Sequence, residues 1–183
     1  GKSSAGAYYA IQTLRQMAEG RGSNAFFQEA EISDYPSLPY RGLLVSMGEG
    51  ANYNEQFARE IIDELARFKS NQFYFYSESS IELDSFPLVG YKSKIPKEVI
   101  RRLVEYGRER HVDIIPMQAL YGHLHDIFRI EKYSSLSTVP YGFEFDPTNP
   151  EARKMVKTMV DEICDLFPSK FFHAGFDETW FTR

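Results

Sequence analysis

Two adjacent carboxylates, Asp177 and Glu178, lie within the stretch 173–180, which reads HAGFDETW and follows an apolar run. Two like charges this close resist double ionisation, so we expect one of the two groups to keep its proton near neutral pH. A carboxylic acid in that state can act as a general acid in catalysis. The residue types also fit a structural role, in which Asp177 or Thr179 caps a helix and Glu178 lies in its first turn. The pair alone leaves both interpretations open.

A second chemical signal is the His-x-His pair formed by His123 and His125, with Asp126 beside it. Such a pair at the end of a strand can bind a catalytic metal. A turn at Gly122 and His123, followed by a helix that begins at His125, explains the same residues without a metal. Because no clear set of three ligands accompanies the pair, we expect no metal and no other cofactor.

Two further charged side chains flank predicted strands. Glu78 follows an apolar strand, where a carboxylate can serve a pocket or lie in a solvated loop, and the sequence leaves both interpretations open. Arg41 comes before a strand, at the end that lies opposite the chemistry in a parallel-sheet enzyme. From its position alone we expect Arg41 to be a surface residue.

The spacing of apolar residues predicts the elements that position these side chains. We expect helices over 8–17, 54–68, 96–110 and 150–167, and Phe57 and Phe68 belong to the predicted buried face of the second helix. The predicted strands cover 42–45, 72–76, 112–115 (closed by Pro116), 171–174 and, less regularly, 26–32. Alternation of strands and helices after position 41 is typical of parallel βαβ units.

Two architectures use this alternation, an open doubly wound sheet and a (β/α)8 barrel. The glycines at 48 and 50 lack the third glycine of a dinucleotide-binding loop, which weakens the first architecture. A complete barrel needs about 250 residues, so four strands in 183 residues would form about half of one. In either architecture the catalytic side chains belong at the carboxyl ends of the strands.

Composition excludes several classes of protein. The net charge is −5 and there is no long basic run, so we expect no nucleic-acid partner. No apolar stretch approaches the roughly 18 to 20 residues that span a bilayer, so we expect no membrane partner. The single cysteine, Cys164, excludes an internal disulfide framework. The first residue is not Met and the chain stops soon after the acid pair, so we expect a piece of a longer protein.

Around the acid pair the sequence resembles the catalytic domain of glycoside hydrolase family 20, the β-N-acetylhexosaminidases. The fourth barrel strand of that family ends in a His-x-Gly-Gly-Asp-Glu pattern, which here reads HAGFDE over 173–178. Other segments agree in order and spacing: 8–16 with the last helix of the small α/β domain before the barrel, 34–42 with the approach to strand 1, 68–71 with the approach to strand 2, and 115–123 with the end of strand 3. The resemblance covers nearly the whole chain.

The resemblance implies an α/β fold, namely the first half (about four βα units) of a TIM-type (β/α)8 barrel, preceded by the last helix of a small α/β domain. Residues 1–22 would form that helix, 23–40 a linker and the strand that leads into the barrel, and 41–183 the N-terminal half of the catalytic domain. The missing half of the barrel would then be a partner of this chain. Half a barrel has open sheet edges, so we expect it to be marginally stable, to self-associate, or to fold only with its missing half.

The resemblance also implies substrate-assisted, retaining hydrolysis of a terminal β-linked N-acetylhexosamine from a glycan. Asp177 would orient the 2-acetamido group of the substrate, and Glu178 would protonate the leaving oxygen and then activate water. Because neighbouring residues in a strand point apart, the backbone must bend for both to serve one pocket, and Gly175 is placed to allow that bend. The residues that would bind the substrate are Arg41, Glu78, Gln118, His123, His173 and Trp180. For Arg41, this binding role implied by the resemblance replaces the surface role expected from its position.

The sequence departs from the family pattern at several positions. Strand 3 commonly ends in Pro-Glu-Ile-Asp-x-Pro-Gly-His, whereas 116–123 reads PMQALYGH and lacks both acids. The His-x-His common on strand 2 is YFY over 74–76, and the Asp common after strand 1 is Ser46. We expect Glu78 and Gln118 to take over polar roles. Two other functions stay open: a metal-dependent hydrolase that uses His123 and His125, and a carbohydrate-binding protein without turnover.

Overall fold

Three parallel strands, with helices on one face, form the centre of the computed structural model, which describes residues 2–47, 54–90 and 94–180. The glycine pair at 48 and 50 therefore lies outside the described residues. In chain order the elements are α1 (Ser4–Met17), β1 (Ala18–Glu19), a 3-10 turn (Gly22–Asn24), β2 (Phe26–Phe27), β3 (Gly42–Ser46), α2 (Glu55–Arg67), β4 (Gln72–Ser77), α3 (Lys97–Glu109), β5 (Asp113–Gln118), α4 (His125–Phe128), a 3-10 segment (Glu131–Leu136) and α5 (Pro150–Cys164).

Capping residues explain where the helices begin. The side chain of Asn54 accepts hydrogen bonds from the backbone N–H groups at the start of α2, and that of Asn149 does the same for α5, which has Pro150 at its first position. The four helices predicted from apolar spacing are confirmed, with ends that differ by a few residues. Phe57 and Phe68 were expected in the core, but they are exposed. Between them, the buried residues of α2 are Ala58, Ile62, Leu65 and Ala66.

The central sheet has the strand order β3-β4-β5, with Gly42 opposite Gln72 and Gln72 opposite Asp113. Strand β5 continues through Pro116 to Gln118, so the expectation that Pro116 closes it is wrong. The carbonyl of Pro116 and the N–H of Gln118 both bond to His173, on the side away from β4. The missing N–H of Pro116 therefore costs no hydrogen bond between β4 and β5.

Two predicted strands are shorter in the structure. The segment 171–174 forms a single parallel bridge, between His173 and Met117, instead of a fourth strand. The irregular strand expected over 26–32 is limited to Phe26–Phe27, which pairs antiparallel with Ala18–Glu19. Both segments lie at edges where few hydrogen-bonding neighbours are available among the described residues.

The two faces of β4 show where the core lies. Phe73 and Phe75 are fully buried beneath the helices, whereas Tyr74 and Tyr76, on the opposite face, are half-buried. Strand β3 pairs with β4 alone within the described residues, and Leu43 and Leu44 are 50% and 47% exposed. None of the helices in this part of the chain is long and apolar enough to cross a membrane.

Candidate functional site

Three side chains that are far apart in the sequence meet at the carboxyl ends of β4 and β5. Glu78 directly follows β4, His123 lies in the turn after β5, and Glu178 lies after the bridge at His173. The Nδ1 atom of His123 is 3.2 Å from Oε1 of Glu78, and its Nε2 atom is 3.2 Å from Oε2 of Glu178. One imidazole thus lies between two carboxylates, an arrangement that can hold and transfer a proton.

Glu78 is held by its neighbours on the face of the sheet that lies opposite the helices. Its side chain is buried, and the Tyr76 hydroxyl donates a hydrogen bond of 3.0 Å to Oε1. Tyr76 and Glu78 lie on the same face because they are two residues apart in an extended segment. Of the two interpretations left open, the solvated carboxylate does not fit, because the Glu78 side chain is buried; its role in a substrate pocket stays a prediction.

Gln118 and His173 support the backbone of the site. The buried side-chain amide of Gln118 donates to the backbone carbonyls of Glu78 at 2.7 Å and of Ala119 at 3.0 Å. The Nδ1 atom of His173 accepts the N–H of Gly175 at 3.2 Å. Contacts with a substrate were expected of both side chains, but these donor and acceptor groups hold the two loops that carry the carboxylates.

The backbone bends twice around the acid pair. Gly175 has a φ of +56°, which supplies the expected bend, and a Cβ atom there would lie 3.1 Å from the carbonyl oxygen of Gln118. Glu178 itself also adopts a left-handed conformation, with a φ of +51°. Few residues other than glycine adopt this conformation, and such outliers occur often at functional sites.

Gly122 lets this loop approach the turn after β5. A Cβ atom at position 122 would lie 2.8 Å from the carbonyl oxygen of Asp177 and 3.2 Å from that of Glu178. The predicted turn at Gly122 and His123 is present, with a φ of +59° at His123, and α4 begins at His125. The turn therefore brings the His123 ring and the acid pair together, and only glycine fits at 122 without moving the backbone.

Trp180 anchors the chain on the other side of the acid pair. Its backbone N–H donates to the carboxylate of Glu144, and its ring packs edge-on against Phe143 with 5.4 Å between centroids. Sequence analysis missed Glu144 and Phe143. An acid between aromatic residues in a loop gives no signal in the sequence that its carboxylate will be buried.

Arg41 lies at the other end of the sheet. Its guanidinium group donates to the backbone carbonyl of Lys69 at 2.7 Å and 2.9 Å and to that of Leu38 at 2.6 Å, and it lies above the Tyr9 ring. Strands rise about 3.3 Å per residue, so β3 separates Arg41 from the carboxyl ends by roughly 15 Å. Arg41 therefore lies too far from the acid pair for the sugar-binding role that the resemblance implies. The expectation from its position before β3, that it lies away from the chemistry, agrees with the structure.

The residues of the His-x-His pair separate in the structure. His123 faces the acid pair, whereas the exposed His125 lies beside Asp126, which also pairs with Arg129. Among residues 2–47, 54–90 and 94–180, no group of three or more His, Cys, Asp or Glu side chains could hold a metal ion. The arrangement is instead suited to proton transfer by carboxylates and an imidazole.

Comparisons with known proteins match this chain to one family. The model of the glycosyl hydrolase family 20 catalytic domain matches residues 38–183. A beta-hexosaminidase of Porphyromonas gingivalis is 28% identical over 213 residues, which cover 97% of this chain and 27% of that protein. A chitooligosaccharidolytic beta-N-acetylglucosaminidase of Bombyx mori is 28% identical over 204 residues, which cover 97% of this chain and 34% of that protein.

The solved structures agree with the sequence comparisons. A chitobiase of Flavobacterium johnsoniae superimposes with a TM-score of 0.83 at 28% identity, covering 94% of this chain and 29% of that one. The chain thus spans 27% to 34% of the length of these relatives. Similarity over 38–183 includes the acid pair and the residues around it.

Proposed function

Because the chain belongs to glycosyl hydrolase family 20, we propose that it carries the acid pair of an enzyme that removes terminal β-linked N-acetylhexosamine from glycans. The observation that carries the proposal is the contact of Glu178 with His123, which gives a candidate general acid a defined proton-transfer partner. The named relatives are beta-hexosaminidases and a beta-N-acetylglucosaminidase, so N-acetylglucosamine-terminated chains are the first substrates to test.

We propose a substrate-assisted mechanism, in which the carbonyl oxygen of the substrate's own 2-acetamido group attacks the anomeric carbon. Asp177 holds the acetamide in position and stabilises the positive charge that develops on it as the cyclic oxazolinium intermediate forms. In the same step Glu178 gives its proton to the glycosidic oxygen, and the C–O bond to the leaving group breaks. Two bends in the backbone, at Gly175 and Glu178, support a common pocket for these neighbouring residues.

The second step reverses the roles of these groups. Glu178, now a carboxylate, takes a proton from a water molecule that attacks the anomeric carbon. The ring of the intermediate opens, the acetamide is restored, and the sugar leaves with its original configuration. The two carboxylates thus act on different atoms of the substrate. Although the residues are neighbours in the chain, their side chains must reach different places in the pocket.

His123 and Glu78 define the state of Glu178 in this proposal. When the Nδ1–H of His123 faces the Glu78 carboxylate, the lone pair on Nε2 faces Glu178. A protonated Glu178 can then donate a hydrogen bond to Nε2, which orients its carboxyl group before proton transfer. We assign Glu78 to this indirect role, and we retain Trp180 as a candidate for direct contact with the substrate because its ring is exposed beside the acid pair.

We further propose that the strands of this chain form part of a (β/α)8 barrel, with residues 1–22 from a preceding α/β domain, 23–40 as the linker and 41–183 from the barrel. Support comes from the exposed edge of β3 and from an apolar groove of about 550 Å³ beside it, lined by Leu43, Phe57, Ile61 and Phe68. The chain covers about a third of its relatives, so the remaining barrel elements are the expected occupants of this groove.

The test is an assay of the longer protein that contains this chain. We expect release of the chromophore from 4-nitrophenyl N-acetyl-β-glucosaminide, with the same rate in the presence and absence of a metal chelator. A product that keeps the β configuration, followed by NMR from the start of the reaction, would support retention. Loss of activity with chelator, inversion of configuration, or binding of the sugar without turnover would each contradict the proposal.

A further inference from the structure

We propose that Glu144 is a positioning residue for the acid, which holds Glu178 in its left-handed conformation through the backbone of Trp180. The inference rests on the proposed function, because it concerns how the proton donor of that reaction is placed. Glu144 lies outside the acid pair formed by Asp177 and Glu178. It acts on the loop that carries them.

The conformation of Glu178 needs support from its surroundings. In a residue with a φ of +51°, the side chain is crowded against the residue's own backbone, so a free loop would favour another conformation. Such a conformation persists where contacts on both sides of the residue fix it. The direction of the Glu178 carboxylate depends on this backbone, because a change of φ there would turn the side chain away from His123.

Contacts before and around Glu178 come from two glycines. Gly175 passes close to the carbonyl of Gln118, and Gly122 passes so close to the carbonyls of Asp177 and Glu178 that a Cβ atom would meet them. These contacts limit where the loop can lie, but they are van der Waals contacts and fix no direction. The chain after Glu178 needs a directional anchor as well.

Glu144 supplies that anchor. Its side chain is 0% exposed, and its carboxylate accepts the N–H of Trp180, two residues after Glu178. A buried carboxylate is costly unless it is hydrogen-bonded, and a bond from an N–H to a charged acceptor is stronger than one between neutral groups. Burial excludes the role of an ordinary solvated acid for Glu144. Its carboxylate instead serves as a fixed hydrogen-bond acceptor for the backbone of the loop.

The segment that carries Glu144 is itself fixed to the turn at His123. The backbone carbonyl of Glu144 accepts the N–H of Thr138 at 3.1 Å, and Ser137 and Phe145 form an antiparallel bridge. The N–H of Phe145 donates to the carbonyl of Tyr121 at 3.2 Å, and the N–H of Leu124 donates to that of Phe143 at 2.9 Å. One rigid unit thus holds both His123 and, through Glu144, the far side of the Glu178 loop.

The inference predicts a loss that depends on the leaving group. A sugar leaving group needs a proton from Glu178, whereas 2,4-dinitrophenolate departs without one. A misplaced acid should therefore slow cleavage of chitobiose much more than cleavage of 2,4-dinitrophenyl N-acetyl-β-glucosaminide. A general loss of folded enzyme would lower both rates by the same factor.

The experiment compares Glu144→Leu and Glu144→Gln in the longer active protein. We expect Glu144→Leu to lower kcat on chitobiose by about 10- to 100-fold, because a misplaced acid loses part of the rate gain from general acid catalysis. The loss on the dinitrophenyl substrate should be less than about 3-fold, because that substrate does not need the acid. Glu144→Gln keeps a carbonyl acceptor for the N–H of Trp180 and should restore most of the chitobiose rate. Glu131→Leu, at an exposed acid, is the matched control.

Each outcome bears on the proposal. Equal losses on both substrates, no loss with Glu144→Leu, or a Gln variant as impaired as the Leu variant would overturn it. If Glu144→Leu does not fold, Glu144→Asp withdraws the carboxylate from Trp180 and should show the same dependence on the leaving group. Glu178→Gln tests the proposed function separately. If this variant does not lose more activity on chitobiose than on the dinitrophenyl substrate, the assignment of Glu178 as the acid fails, independently of the result at Glu144.

Discussion

The imidazole of His123 joins Glu178 to Glu78, a carboxylate 100 residues earlier in the chain, with its two ring nitrogens 3.2 Å from one oxygen of each. The two acids are unlike in their surroundings, because Glu78 is buried on the face of the sheet opposite the helices and Glu178 is exposed at the end of the sheet. Glu78 is therefore suited to orient the imidazole, and Glu178 is suited to meet a substrate.

Replacing Glu78 tests this relationship. In the longer protein, Glu78→Gln should lower kcat on chitobiose by about 10- to 100-fold, because the imidazole loses the carboxylate that selects its tautomer. KM should change little if Glu78 does not contact the sugar. The exposed Glu109→Gln is a matched control. A rise in KM at unchanged kcat would instead indicate that Glu78 binds the substrate.

Asp177 and Glu178 should differ in their dependence on the leaving group. Asp177→Asn weakens stabilisation of the oxazolinium intermediate, so we expect a loss of about 10²- to 10³-fold on chitobiose and dinitrophenyl substrates alike. Glu178→Gln should affect chitobiose far more than the dinitrophenyl substrate. Steady-state kinetics on both substrates separate the two roles. Activity retained in both variants would remove the acid pair from the mechanism.

A methyl group at position 122 should displace the acid pair. Gly122→Ala places Cβ against the backbone carbonyls of Asp177 and Glu178, and backbone cannot give way as a flexible side chain can. We expect a loss of stability of about 1 to 3 kcal/mol and a larger fractional loss of kcat than of folded protein. Urea unfolding and kinetics on the same samples measure both. An alanine variant with full activity would show that the loop has room to adjust.

The ion pair between Lys97 and Glu162 should make stability depend on pH. Burial by itself would raise the pKa of Glu162, but hydrogen bonds from Lys97 and from the backbone N–H groups of Asp84 and Ser85 outweigh it and lower that pKa. A carboxyl group with a lowered pKa in the folded state stabilises the fold above its ordinary pKa of 4.5, and this contribution is lost as the pH falls through the lowered value.

The corresponding experiment measures urea unfolding of the wild type and Glu162→Gln at pH 7 and pH 3. We expect the wild type to be more stable than Glu162→Gln at pH 7 and this difference to shrink at pH 3, because below the ordinary pKa of 4.5 the unfolded chain takes up a proton that the folded state binds less tightly. Glu64→Gln disrupts the exposed pair with Arg67 and should change stability by less than about 1 kcal/mol at either pH. A difference that is the same at both pH values would contradict this account.

The exposed edge of β3 should make the isolated 183-residue chain associate with itself. Leu43 and Leu44 lie on a strand that can pair with another copy, since one edge is open within the described residues. Light scattering should show oligomers, and Leu43→Lys should reduce them, whereas Leu88→Lys, at another exposed leucine, should not. A monodisperse wild-type chain with a cooperative thermal transition would contradict the prediction.

The sequence by itself determined the elements whose signals are local. Asn54, Asn149 and Pro150 mark the helix starts, and apolar spacing predicts α2, α3 and α5, because caps and helix faces depend on residues within a few positions of one another. The adjacency of Asp177 and Glu178 and the pattern before them also indicated a candidate acid pair and the family; the comparisons confirmed the family.

Only the tertiary structure decided which side chains meet. It placed Glu78 and Glu178 on one imidazole, bonded Gln118 and His173 to the backbone of the loops, placed Arg41 at the opposite end of the sheet, and buried Glu144 beneath Trp180. It also left Phe57 and Phe68 exposed, although their spacing on α2 predicts a buried face. The physical reason is that burial and distance depend on segments dozens of residues apart, about which the spacing within one helix or loop carries no information.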